Sequence, residues 1–282
     1  MSQPPLFTRA FVWLALAQAL QALSYASMIL FPRYLHHLEA SRTEIGLIMA
    51  AGSVGGLASR PVVGWALDTV GRKRTLWIGT VLVVASMLSV GWITRIDGAV
   101  VALRVVFGAG VGALFTGYFT LASDIIPSSR RTEGIAIFGI AGLIPLLINP
   151  FADELGVAPM DLRWFLPLTG AVVALSMPLL ALVEVPPMSQ GHGGREESES
   201  TTTSVWDALT ARPLWSAWLA TAVFAGMVTV FMTFLSVVVE QRGVGRPGDP
   251  WITYAFGAIG VRMFGATLPD RVGRGRVLGA AM

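Results

Sequence analysis

Apolar residues in this chain fall into long blocks separated by short polar turns. Ala10–Phe31, Thr75–Thr94, Gly134–Ala152 and Trp164–Val183 carry no charged residue. A helix of about 20 residues spans roughly 30 Å, the thickness of a bilayer's hydrocarbon core. A soluble domain can bury one such helix at its centre, but not a series of them. Two further blocks, Ile45–Leu67 and Gly98–Ser123, complete a set of six. The pattern then breaks at Pro186-Pro187 and passes through the polar, low-complexity run Gln190–Ser204, a composition that favours a linker. Leu214–Val239 and Trp251–Pro269 follow as a seventh and an eighth block. The expected architecture is an all-α, polytopic membrane bundle. Residues 1–185 form a six-helix N-terminal bundle, 186–212 a cytoplasmic linker, and 213–282 two spans and the start of a third.

Composition sharpens this picture. Hydrophobic residues make up 54% of the 282 and charged residues 13%, against about 25% charged in an average soluble domain. No cysteine is present, which removes disulfides and thiolate metal sites from consideration. The basic balance rests almost wholly on arginine, Lys73 being the single lysine. No basic stripe interleaves with aromatics, so orientation in the membrane explains the charge better than nucleic-acid binding. With the turn after the second span on the cytoplasmic side, eleven basic residues lie inside and six outside. Excess arginine and lysine on cytoplasmic loops then places the N-terminus inside, in what is expected to be a bacterial plasma (inner) membrane.

One polar turn occurs twice. Gly64–Arg74 reads G-W-A-L-D-T-V-G-R-K-R, and Ala266–Arg276 reads A-T-L-P-D-R-V-G-R-G-R. An offset of 202 residues aligns Asp68 with Asp270, Gly71 with Gly273 and Arg72 with Arg274. It also aligns Arg60 with Arg262, inside the preceding spans. Two similar halves explain such a repeat.

The arrangement resembles the major facilitator superfamily of secondary transporters, which carries a G-x-x-x-D-[RK]-x-G-[RK]-[RK]-[RK] pattern after its second span. Gly64, Asp68, Gly71, Arg72, Lys73 and Arg74 match it, and Asp270, Arg271, Gly273 and Arg274 match it again. Thr69 and Ala266 depart from the pattern. Arg104, Gly108, Gly110 and Gly112 resemble the family's fourth-span motif, whose arginine the resemblance links to proton coupling. Gly139, Gly142 and Asn149-Pro150 resemble the fifth-span glycine/proline motif of antiporters, with Asn149 in place of a glycine. Asp124–Gly134 resembles the charged turn between spans four and five. The resemblance implies a twelve-span protein, of which about eight spans are present, as though truncated at the C-terminus. It also implies alternating access around a midplane site.

Candidate functional residues follow. Asp68 suits an anion at a facing helix N-terminus, and Arg72 and Arg74 suit carboxylates or lipid phosphates. A small residue at Gly64 suits close helix approach. This turn is therefore a candidate gate, and a simple positive-inside anchor would explain only its basic residues. Arg104, in an apolar span, costs about 2.5–3.5 kcal/mol unless it finds a partner or water. Gln18, Gln21 and Tyr25 lie on one side of the first span and, with Asn149, suit either a solute or helix–helix contacts. Asp153 and Glu154 are the carboxylates closest to a coupling role. Gly108, Gly110, Gly112 and Pro150 are expected to shape helix packing. The favoured function is proton-coupled efflux of a small organic solute, with membrane lipid as the medium. A sugar or organic-acid uptake carrier, and a non-transporting scaffold or inactive fragment, stay open. No H-E-x-x-H, G-x-S-x-G or nucleotide-binding loop occurs, so no enzyme, cofactor or ATP-driven reading is favoured.

Overall fold

The computed structural model describes residues 5–184 and 215–265. All regular structure there is helical. Helix α1, Arg9–Ser27, begins at Thr8, whose side chain accepts a hydrogen bond from the Phe11 amide. A 3-10 turn at Met28–Leu30 carries it into α2, Phe31–His37. Helix α3, Arg42–Thr69, opens with a reciprocal cap between Ser41 and Glu44, which satisfies otherwise orphaned amides. Gly71 adopts φ +100° just before α4, Arg72–Ser89, a conformation that glycine adopts without steric cost. Helix α5 runs Gly98–Ile125 and is capped by Asp97.

The fifth and sixth expected spans are each interrupted. Helix α6, Arg131–Ala141, ends at Gly142, a 3-10 turn covers Ile144–Leu147, and α7 resumes at Ile148–Glu154. Pro145 lies in that turn, where its missing amide costs no helical hydrogen bond. Helices α8, Leu162–Ala174, and α9, Ser176–Ala181, meet at Leu175. The last two described helices are α10, Trp215–Arg242, and α11, Asp249–Gly265. Among the described residues, seven stretches are long and apolar enough to cross a membrane, the last being Trp218–Arg242. The expected eighth span forms α11 as far as Gly265, and its remainder lies outside the described residues. So do the linker and the whole second copy of the charged turn, including Asp270, Arg271, Gly273 and Arg274.

Helix α1 occupies the centre of the bundle. Its Leu14, Ala17 and Ala22 are fully enclosed, and Gln18, Gln21 and Ser24 are buried beside them. Large apolar side chains on the outer faces, including Trp65, Trp77, Trp164 and Leu168, are exposed. That inversion suits a lipid surround, where outward Leu and Trp carry no hydration penalty.

Glycine sets the closest helix approach. A Cβ on Gly55 would run into the Val105 backbone, and one on Gly108 into the Gly52 backbone. Gly56 and Gly112 face each other one turn further along. Gly110 points the other way, against Gly79 and Val83 of α4. Helix α5 thus packs by glycine on two sides. Gly64 differs from its expectation: no described atom lies within 4 Å of the position a Cβ would take, so in this conformation it brings no helix close.

Candidate functional site

Two adjoining cavities lie beside α1. One, about 450 Å³, is lined by α3 and α5 and by Met232 and Thr233 of α10. The other, about 430 Å³, is lined by α1, α5, the α6–α7 break and α11. Tyr25, Ile29, Val111, Phe115 and Met232 line both.

Arg104 projects into the first cavity from α5 and is 7% exposed. Its guanidinium lies 5.1 Å from the Phe107 ring centroid and 5.8 Å from that of Phe31, within cation–π range. Gly52 leaves the space it occupies: a Cβ there would sit 3.1 Å from Nη2. Nε and Nη1 are buried without a hydrogen-bond partner. Arg60 lines the same cavity. Arg262 lines the second and rests against Gly139, where a side chain would collide with its Nη1. Matched positions in the repeat therefore bring Arg60 and Arg262 to adjoining cavities. That relation was visible in the sequence only as an offset.

The polar residues of α1 divide. Tyr25 lines both cavities and donates a hydrogen bond from its hydroxyl to the Gly142 carbonyl at the span-five break. Gln18 lines the second cavity with its Oε1 unpartnered. Gln21 is buried but is not among the residues lining either. Asn149 is also turned into helix packing. It is fully buried, and its Nδ2 donates to the carbonyls of Ala26 (3.2 Å) and Leu146 (3.0 Å). Pro150 packs its backbone against Gly248 in the α10–α11 turn.

Asp153 and Glu154 lie apart from the cavities, in an ion cluster at one end of the bundle. Arg33 donates to Asp153 at 2.9 Å and to Glu240 at 3.0 Å. Arg33 and Asp153 are 7% and 8% exposed, while Glu240 is 38% exposed. The Gly248 amide also donates to Asp153, and Arg246 pairs with Glu154. Arg42 donates to Gln241 at 3.0 Å nearby. These contacts tie α2, α3 and α7 to α10 and the turn after it. Arg33 and Arg246 are two of the six basic residues that the sequence puts on the outer side, with no sign of these partners. The clue to Arg33 was the apolar run Tyr34-Leu35 beyond Phe31, which carries the helix one turn past it.

At the opposite end, Arg72 pairs with Asp124 at the close of α5. Lys73 donates to the Ala181 carbonyl at 3.3 Å. Asp68 is exposed and makes no hydrogen bond or ion pair with a described residue. Arg74 is exposed too.

A cavity beside a buried, unpaired arginine, between interrupted helices, is a transporter-like arrangement. The model of the Major Facilitator Superfamily matches residues 14–282. The chain belongs to that superfamily. It is 28% identical over 239 residues to Protein spinster homolog 3 of Danio rerio, covering 78% of this chain and 47% of that protein. It is 28% identical to the Staphylopine export protein of Staphylococcus aureus over 43% of this chain and 30% of that one. The Quinolone resistance protein NorA of the same species is 29% identical over 36% of this chain and 26% of its own length. The chain thus spans half or less of these relatives. The crystal structure of a D-xylose-proton symporter superposes over 91% of this chain and 66% of its own, with a TM-score of 0.59 at 14% identity, which shows a shared fold. With seven apolar helices of spanning length, this facilitator-family chain is an integral multi-pass membrane protein.

Proposed function

We propose that the protein is a secondary active transporter that exports a small organic solute by alternating access, driven by proton antiport. The observation that carries this reading is Arg104, buried and without a hydrogen-bond partner on Nε and Nη1 in a cavity, two turns into its span. An intramembrane arginine without a partner marks a solute or ion pathway. Two of the relatives are an export protein and a quinolone resistance protein, which favours efflux over uptake. Residues 1–185 supply one bundle and residues 213–282 part of the second, and the two rock about the cavity.

The Gly64–Arg74 turn is assigned to the cytoplasmic side and the Arg33 cluster to the outer side. In this conformation the outer side is closed by Arg33, Asp153, Glu240, Arg246 and Glu154. Asp153, which holds Arg33 together with Glu240, is the preferred coupling carboxylate, with Glu154 second. Asp68 and Arg72 form the inner gate, where Asp68 engages a partner only in the other state.

Reconstituted proteoliposomes test the whole reading. A pH gradient should drive solute movement, and Asp68→Asn should slow it without loss of membrane insertion. Absence of gradient-driven flux for every solute in a broad panel would replace the transporter reading with the scaffold one.

A further inference from the structure

The two cavities differ in shape but share a charge pattern. Arg60 and Arg104 line one and Arg262 the other, and no aspartate or glutamate lines either among the described residues. Removing a guanidinium from water costs several kcal/mol unless a counter-charge or full hydrogen bonding compensates. For Arg104 neither is present: two of its nitrogens lack partners, and the nearby groups are the rings of Phe31 and Phe107. Cation–π contact accounts for about 0.5–2 kcal/mol, a fraction of that cost.

The walls supply the rest of the specification. Phe107, Phe115, Phe119 and Tyr254 present aromatic surface, and Met49 and Met232 present flexible thioethers. Aromatic and methionine surface accommodates a planar apolar body without fixing one shape. Glycine stands beneath two of the guanidiniums, Gly52 under Arg104 and Gly139 under Arg262. Larger residues there would displace both heads, so the backbone itself makes room for charge in the cavity.

We propose that the cargo is an organic anion: an oxyanion head that pairs with Arg104 and an aromatic or other apolar body that fills the space toward Arg262. The cargo supplies the counter-charge that is absent from the described lining of the two cavities. Cations are excluded by the same field, because entry would set them against like charge in a medium that screens poorly. This assignment rests on the transporter reading for its physiological meaning, but it is a statement about binding and is tested as binding.

The test uses the full chain in phosphatidylcholine nanodiscs and a matched series: 2-naphthoate, 2-naphthamide and 2-naphthylmethylammonium. Calorimetric titration should show naphthoate binding about ten- to a hundredfold more tightly than the amide, the range set by a charge-assisted hydrogen bond. The ammonium compound should bind more weakly than either. Arg104→Gln should bring naphthoate down to the affinity of the amide. Arg262→Gln should weaken naphthoate by a smaller factor, and it keeps the test open if the first variant does not fold. Equal affinity for the three ligands, or a preference for the ammonium compound, overturns the proposal. Displacement of naphthoate by phosphatidylglycerol in the disc at equal potency also overturns it, making the cavity a lipid headgroup site. Ordered anion binding without gradient-driven flux would sink the transporter reading and leave this one standing. Gradient-driven flux of cations with no preference for naphthoate would do the reverse.

Discussion

Adding a single methyl group to Gly108 is expected to force α3 and α5 apart. The Cβ would fall among the carbonyl and Cα atoms of Gly52, and backbone cannot rotate aside as a side chain can. Overpacking of a tight interface costs about 1–3 kcal/mol, and a backbone collision belongs at the upper end. Replacing glycine by alanine within a helix returns about 1 kcal/mol through lower chain entropy. Gly108→Ala should therefore destabilise by about 2 kcal/mol, which lowers the midpoint of thermal unfolding by about 4–8 °C for a chain of this size. Gly64→Ala supplies the control. Nothing lies within 4 Å of its Cβ position, so it should unfold at or above the parent temperature. Intrinsic fluorescence of the nine tryptophans during heating in detergent reads both. The double variant Gly55→Ala/Gly108→Ala should cost less than the two single variants together, because the second methyl enters a gap opened by the first. An unchanged midpoint for Gly108→Ala, or an equal fall for Gly64→Ala, would show that the glycine contacts do not set the α3–α5 distance.

Three other outcomes are expected. With no native cysteine in the chain, the pair Arg42→Cys and Gln241→Cys should be joined efficiently by a flexible bis-maleimide, whose reach replaces the two long side chains that meet there. Adding Arg33→Gln should weaken that closure by about 3 kcal/mol, the low end for a broken buried pair because Glu240 is partly exposed. Undiminished cross-linking would remove Arg33 from the closure. Asp68→Asn should leave the thermal midpoint unchanged while slowing flux, since Asp68 has no partner among the described residues; a lowered midpoint would instead make it a structural residue. The hydrogen bond from Arg95 and the Ala99 amide hold the Asp97 carboxyl below its ordinary value. Its contribution to stability is present above the unfolded-state value near 4 and fades as pH falls through the lower folded value. Asp97→Asn should therefore flatten the acid limb of the stability–pH curve, and an unchanged limb would refute this.

Parts of this molecule were legible because they are local. Blocks without charge mark the spans, and Gly52 with Gly56 announces a close helix contact by spacing alone. Gln18 and Gln21 are too polar for lipid, so their burial followed from chemistry. Other features depend on partners distant in the chain. Arg33 and Glu240 are 207 residues apart, and no periodicity in either segment couples them. Asn149 offered hydrogen bonds to solute or helix with equal plausibility, and only the position of the Ala26 carbonyl settles which it makes. Gly64 shows a related limit: a small residue permits close approach but does not supply the neighbour. The arginines at 60 and 262 matched by offset, yet only the fold shows that their cavities share a wall at Tyr25 of α1.

The interruption of span five gives that helix two independent loads. Its first half, α6, bears Arg262 on Gly139, and its second half, α7, carries Asp153 into the ion cluster. Between them the continuous helical ladder is replaced by a tight turn, with Tyr25 fastening the Gly142 carbonyl. A continuous rod would transmit axial rotation from one end to the other, whereas a pinned joint converts it into bending about the pin. A push on Arg262 at its glycine seat therefore bears on the turn pinned by the Tyr25 hydroxyl before it can reach the Arg33–Asp153 cluster.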